Sequence, residues 1–227
     1  MAFILDNVVP WGRSFEEYIR MFNLTKDELG LSILSCGDGP ASFNCRMHAQ
    51  GRRVVSCDPI YQFSAEQLQM RINASYDKVM TETYKNKNNF VWDTIKSPEE
   101  LGQVRMEAME EFLADYERGQ HEGRYLAESL PSLPFGDNEF ELALCSHFLF
   151  LYTEQLSLDF HKKAVAEMVR VAREVRIFPL IDLHLNMSHY IPTICSELHQ
   201  AGFTAEILKV PYEFQRGGNK MMRICSK

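Results

Sequence analysis

No apolar run in this chain approaches the roughly 18 residues that a membrane-spanning helix needs, so no membrane partner is expected. The opening stretch, MAFILDNVVPWGR, lacks the basic start and the apolar length of a secretory signal, and a cytoplasmic location is the expectation. The six cysteines are Cys36, Cys45, Cys57, Cys145, Cys195 and Cys225, and no two of them have C-x-x-C spacing. The usual zinc and thioredoxin-type signals are therefore missing. Cys36, Cys57, Cys145 and Cys225 fall in or beside apolar strand-like runs and are expected to be plain buried thiols. Basic residues are in deficit: 24 Lys and Arg face 31 Asp and Glu, for a net charge of −7. That balance argues against a nucleic-acid backbone as main partner, which would need clustered Lys and Arg. It leaves a small anionic ligand open. Internal repeats and low-complexity stretches are also missing.

What the chain does have is a soluble composition, with 45% hydrophobic and 24% charged residues over 227 positions. That length suits a single domain, 1–227, with an insertion. Residues 1–30 read as two short helices. Ser14-Phe-Glu-Glu17 is a capping-box pattern, and Thr25-Lys-Asp-Glu28 repeats it. A strand follows over about Leu31–Ser35, then a glycine turn, then a helix over Ala41–His48 ended by Gly51. Arg53–Cys57 is a second apolar strand. Strand, helix and strand in such a short span make a βαβ unit and imply an α/β fold with a parallel sheet.

Residues 60–123 interrupt the alternation. Ser64-Ala-Glu-Gln67 and Ser97-Pro-Glu-Glu100 each open an amphipathic helix, and Gly119 is a plausible stop for the second. About 65 residues is long for one crossover, so a helical insertion or lid is expected. Strands resume at Arg124–Ala127 and Phe140–Cys145. A helix over Phe160–Glu174, a strand over Val175–Ile181 ending near Pro179, and a helix over Tyr190–Gln200 follow. Two strands, Thr204–Val210 and Met221–Cys225, flank the turn-rich Gln215-Arg-Gly-Gly-Asn219 in a hairpin arrangement. The count is about seven strands.

The chemistry concentrates at Ser32-Ile-Leu-Ser-Cys-Gly-Asp-Gly-Pro-Ala-Ser-Phe43. Glycines after a strand let a ligand approach the backbone, and the following helix offers free N–H groups. Asp58 ends the next strand, where a carboxylate can accept hydrogen bonds from both ribose hydroxyls of an adenosine. A dinucleotide site prefers G-x-G-x-x-G/A. Here Ser42 holds the third small position, and Pro40 removes an N–H that a pyrophosphate would use. An NAD(P)-dependent oxidoreductase is the weaker alternative on that ground.

The same stretch resembles the first motif of the class I, Rossmann-like S-adenosylmethionine-dependent methyltransferases. Leu133-Pro-Phe-Gly-Asp-Asn-Glu-Phe-Glu-Leu-Ala-Leu-Cys-Ser-His147 is similar to the family's segment leading into the fourth strand. Glu167-Met-Val-Arg-Val-Ala-Arg173 resembles its helix before the fifth. These motifs span most of Leu31–Cys225 outside the insertion. The resemblance implies a mixed seven-stranded sheet with an antiparallel last strand and helices on both faces. It also implies S-adenosylmethionine as cofactor, contacted by Ser35, Cys36, Gly37, Asp38 and Gly39 at the turn, by Asp58, Pro59 and Ile60 beyond the second strand, by Glu128 and Ser129 near the adenine, and by Cys145 and Ser146 after the fourth strand. Tyr61 is placed either against the adenosine or in the core. Two positions depart from the pattern. Ile33 stands where the motif's acid is usual, and Ser35 where its first glycine is usual. Asp38 either takes over from that acid or simply forms the turn. The departures leave a non-catalytic cofactor-binding module as a further alternative.

In an open α/β sheet the reacting end lies beyond the carboxyl ends of the strands. His147 is there a candidate general base, with packing against the loop as its structural alternative. Tyr152 is a candidate for the acceptor pocket, and Asp182, His184, Asn186 and His189 add polar groups at the same sheet edge. His184 and His189, five apart and without a carboxylate pattern, give no sound metal signal. The aromatic run Phe148-Leu-Phe-Leu-Tyr152 and the charge balance favour a small organic methyl acceptor, with a protein acceptor still open.

Overall fold

A computed structural model describes residues 9–226. Residues 1–8, the start of the expected N-terminal helical segment, lie outside the described part. Helix α1, Phe15–Met21, begins as its sequence dictates. Ser14 Oγ accepts from the Glu17 N–H at 3.3 Å, and the Ser14 N–H donates to Glu17 Oε2 at 2.9 Å. Thr25 and Glu28 make the same reciprocal pair. They initiate only a single 3-10 turn, Glu28–Gly30, instead of the second helix expected. The chain has to extend into strand β1, Ile33–Cys36, three residues later, so the box caps a turn with no helix to follow.

Helix α2, Phe43–Ala49, leads to β2, Val54–Cys57. The insertion then contributes α3, Ala65–Lys85, and α4, Pro98–His121, before β3, Tyr125–Leu126. Gly119 does not stop α4. The helix passes through it, and the Tyr125 ring lies so close that a Cβ at Gly119 would meet it at 2.3 Å. Gly119 is thus a packing glycine, and Gly123, with φ +72°, makes the left-handed exit. The remaining elements are β4, Phe140–Ser146, α5, Leu158–Val171, β5, Ala172–Phe178, α6, Ile191–Gln200, β6, Phe203–Lys209, and β7, Lys220–Ser226. Strand β5 starts three residues earlier than expected. Ala172 already pairs with Phe140, so helix passes into strand without a loop that would punctuate the sequence.

The sheet order is β3-β2-β1-β4-β5-β7-β6. Strands β1 to β5 pair in parallel, and β7 runs antiparallel to both its neighbours. This is the Rossmann-like mixed sheet with an antiparallel last strand. Its two faces follow the strand period of two. Leu34, Cys36, Ala143, Cys145, Val175 and Ile177 join Ala164 and Met168 of α5 and Ile191 and Ile194 of α6 in one core. Ile33, Leu142 and Leu144 point the other way, onto Tyr18 and Met21 of α1 and Phe43 and Met47 of α2. The insertion adds a smaller aromatic core of Tyr61, Phe112, Tyr116 and Tyr125. Cys36 is in register with both Cys57 and Cys145, and all three are buried, free thiols. Cys225, expected to be buried as well, is only partly covered.

Candidate active site

Strands β1 and β4 are neighbours, and the chain leaves them for opposite sides of the sheet. Their carboxyl ends therefore open a crevice, the usual ligand position in such sheets. The glycine turn follows β1. Gly37 and Gly39 have φ +64° and +58°, backbone that side-chain-bearing residues rarely adopt. A Cβ on Gly37 would come within 3.0 Å of Phe148, whereas Gly39 faces open space.

Asp58, at the end of β2, clamps this turn. Its Oδ2 accepts from the Gly39 N–H and its Oδ1 from the Ile60 N–H, both at 2.9 Å. The Tyr61 hydroxyl donates to the Gly39 carbonyl at 2.7 Å. Burial pushes the Asp58 carboxyl up to about 6, against the lowering effect of the two N–H bonds. Each oxygen has one donor and retains capacity for another.

Asp38 sits in the glycine turn and ties it to its surroundings. Its carboxylate turns inward and gathers hydroxyl donors from three elements: Tyr18 of α1, Ser35 of β1 at 2.6 Å and Ser56 of β2 at 2.6 Å. Burial raises its pKa, and these donors oppose the rise. The serine that replaces the motif's usual glycine is thus one arm of a buried polar knot.

Beyond β4, His147 adopts φ +51°, its N–H donates to the Phe178 carbonyl at 2.7 Å, and its Nδ1 lies 3.0 Å from Ser146 Oγ. Burial, aided by the nearby Arg13 and Arg105 charges, holds its pKa well below 6.5, so the imidazole is neutral at pH 7.

A cavity of about 460 Å³ joins these groups. Gly37, Asp38, Gly39, Asp58, Pro59, Ile60, Ser129, Ser146, His147 and Tyr152 are on its wall. The structure does not bring Ser35, Cys36, Cys145 or Glu128 there. Cys36 and Cys145 are buried in the core under α5 and α6, Ser35 is buried on the other face where it bonds Asp38, and Glu128 is exposed to solvent. Asp182 instead accepts from the N–H groups of His184 and Asn186 in its own loop, and His184 and His189 are exposed.

The cavity is also lined by residues that sequence reasoning did not place at the site: Trp11, Arg13, Tyr18, Val79, Arg105 and Phe214. Gly12 permits this arrangement, because a Cβ there would strike the Pro40 carbonyl oxygen at 2.0 Å. Arg105 of α4 is fully buried and forms a bidentate pair with Glu17, which also accepts from the Tyr212 hydroxyl at 2.7 Å. Glu17 is held down at about 2: burial works against this, and the Arg105 charge prevails. One sequence signal was available. Arg105 sits within the apolar stripe of Leu101, Ala108, Met109 and Phe112, where a cation needs a partner.

No protein-family model matches the chain. Uncharacterized protein MJ0045 of Methanocaldococcus jannaschii is 35% identical over 222 residues, covering 97% of both chains. This chain belongs to the same family. Solved structures of similar shape include the magnesium protoporphyrin IX methyltransferase of Synechocystis with bound SAM, at 12% identity, TM-score 0.44, and coverage of 89% of this chain and 73% of that one. Another is the 1,6-didemethyltoxoflavin-N1-methyltransferase of Burkholderia thailandensis, at 14% identity, TM-score 0.41, and coverage of 86% and 69%. Likeness at that level transfers no substrate. The Rossmann-like fold rests on the strand order of the chain itself. No helix among the described residues is long and apolar enough to cross a membrane.

Proposed function

We propose that the chain is an S-adenosylmethionine-dependent methyltransferase acting on a small organic acceptor. The observation that carries this reading is Asp58 clamping a left-handed glycine turn at the mouth of a crevice that continues to His147. The residues fit the cofactor. Gly39 faces open space that a Cβ would fill, and Asp58 has acceptor capacity for ribose hydroxyls. Ile60 and Ser129 line the adjoining wall, where an adenine would lie. S-adenosylmethionine supplies an electrophilic methyl on a sulfonium; the protein supplies position and exclusion of water.

His147 is the candidate proton acceptor. In the tautomer that carries its proton on Nδ1, toward Ser146 Oγ, the Nε2 lone pair can take a proton from an acceptor O–H or N–H. Tyr152 and Leu151 border the same wall, and Val79, Thr83, Leu101 and Arg105 of the helical insertion close it from above, in the manner of a lid. A largely apolar cavity in a chain of acidic overall charge favours a small molecule over a nucleic acid.

The turn disfavours the oxidoreductase alternative. The Gly37 N–H is bonded to the Cys57 carbonyl, the Gly39 N–H to Asp58 and the Ser42 N–H to the Arg13 carbonyl, and Pro40 has none. Few donors remain for a pyrophosphate. A thermal-shift comparison tests this reading. S-adenosylhomocysteine should raise the melting temperature while NAD and NADP leave it unchanged; stabilisation by a dinucleotide alone would reverse the assignment. Binding of S-adenosylmethionine without methyl transfer to any acceptor would favour the non-catalytic module.

A further inference from the structure

The cavity wall carries a cation that the protein itself does not neutralise. Arg13 donates from Nη1 to the Trp11 carbonyl at 2.5 Å, and among the described residues it has no carboxylate within ion-pair distance. Its Nε is buried and unpartnered, as is the Nε of the fully buried Arg105 beside it. Glu17 cannot serve both. Its two oxygens are already taken by Arg105, the Ser14 N–H and the Tyr212 hydroxyl. Arg105 is fully buried and Arg13 partly so, with its Nε out of reach of solvent, so two guanidiniums face one carboxylate here and leave an excess positive charge. A partly buried charge without a carboxylate partner is stabilised when a counter-charge joins it.

The rest of the wall near these arginines is apolar: Trp11, Val79, Leu101, Phe214 and Leu183. Its residues come from the N-terminal segment, the insertion, the β5–α6 connection and the β6–β7 connection. Asp58 stands at the glycine turn with acceptor capacity to spare, while Asp38 is held by its three hydroxyl donors. Arg13 adjoins the same turn through its carbonyl, which accepts from the Ser42 N–H, and also lines the cavity.

We infer that the methyl acceptor is an apolar small molecule bearing a carboxylate, and that Arg13, with Arg105 behind it, binds that carboxylate. This deepens the methyltransferase reading and rests on it. Guanidinium and carboxylate match in a planar, two-point geometry. The bound anion also offsets part of the field that Arg13 and Arg105 impose on His147, restoring basicity to the candidate proton acceptor when substrate is present.

The test uses the full chain, benzoate as probe and benzamide as its uncharged isostere, with and without saturating S-adenosylhomocysteine. Ligand-observed NMR should show benzoate binding and benzamide at least tenfold weaker. Arg13→Met should weaken benzoate at least tenfold, Arg13→Lys less so, and the affinity for S-adenosylhomocysteine should stay within threefold of wild type. The melting temperature of Arg13→Met without ligand should change little, since the only hydrogen bond lost among the described residues is the one to the Trp11 carbonyl and an unneutralised charge goes with it. Benzoate that binds Arg13→Met as well as wild type, or no better than benzamide, overturns the inference. If Arg13→Met instead loses S-adenosylhomocysteine and keeps benzoate, the arginine serves the cofactor's carboxylate and the acceptor assignment falls. Failure of wild type to bind S-adenosylhomocysteine, with benzoate still bound through Arg13, would strike the methyltransferase reading alone.

Discussion

Cofactor affinity should depend on pH through Asp58, and the size of the effect follows from the site. In the free protein, burial lifts this carboxyl to about 6. Its two N–H donors are fixed by the turn, so an incoming ribose adds donors to the ionised form and favours it. With a free-state value near 6, the carboxylate is about nine-tenths ionised at pH 7 and about one-tenth at pH 5. The apparent dissociation constant for S-adenosylhomocysteine should therefore be about tenfold weaker at pH 5 than at pH 7, or roughly 1.4 kcal/mol. The ligand has no group titrating in that window, and burial holds the His147 value well below 6.5. Calorimetry in matched buffers reads the effect directly. Asp58→Asn should bind more weakly at pH 7 and lose the slope. A flat wild-type profile would refute the ribose role of Asp58, and an unchanged slope in Asp58→Asn would move the titration to Asp38. The linkage to folding has the opposite sign. A value raised in the folded state gives stabilisation that is full below about pH 4 and is lost as the pH rises through about 6. The ligand-free protein should thus lose up to about 3 kcal/mol from this group across that window, and bound cofactor should recover part of it.

Arg105→Met leaves the buried Glu17 without its guanidinium, and should cost about 3–5 kcal/mol, read as a lower urea midpoint; an unchanged midpoint would mean that the pair is not buried as described. Gly37→Ala combines left-handed backbone with a Cβ 3.0 Å from Phe148, so it should cost stability and abolish cofactor binding, whereas Gly39→Ala should cost only about 1–2 kcal/mol of backbone strain. Equal melting temperatures for the two variants would contradict the close approach of Phe148. Tyr18→Phe removes one donor from Asp38 and should cost about 1–3 kcal/mol by denaturant titration, while a neutral effect would show that the Asp38 knot does not hold α1 to the sheet.

The cofactor half of the site was legible because it is local. Gly37, Gly39 and Asp58 sit at strand ends, and strand ends and glycine turns are marked in a sequence. The inward turn of Asp38 was not, since its partners Tyr18 and Ser56 lie 20 and 18 residues away and each is unremarkable alone. The acceptor half was harder still. Trp11, Arg13, Arg105 and Phe214 meet only after the insertion and the final hairpin fold back over the sheet. Arg105 alone left a local trace, as a cation in an apolar helical stripe. Boundaries failed where no punctuation exists, as at Val171–Ala172, where helix becomes strand within one step.

The central claim is that the crevice beyond β1 and β4 binds an S-adenosyl cofactor through Asp58. Calorimetric titration of the folded wild-type chain at pH 7 tests it most directly. The account predicts one S-adenosylhomocysteine bound per chain, with affinity at least tenfold weaker in a folded Asp58→Ala variant. No heat of binding to a wild-type chain of intact fold, or equal affinity in Asp58→Ala, would contradict it.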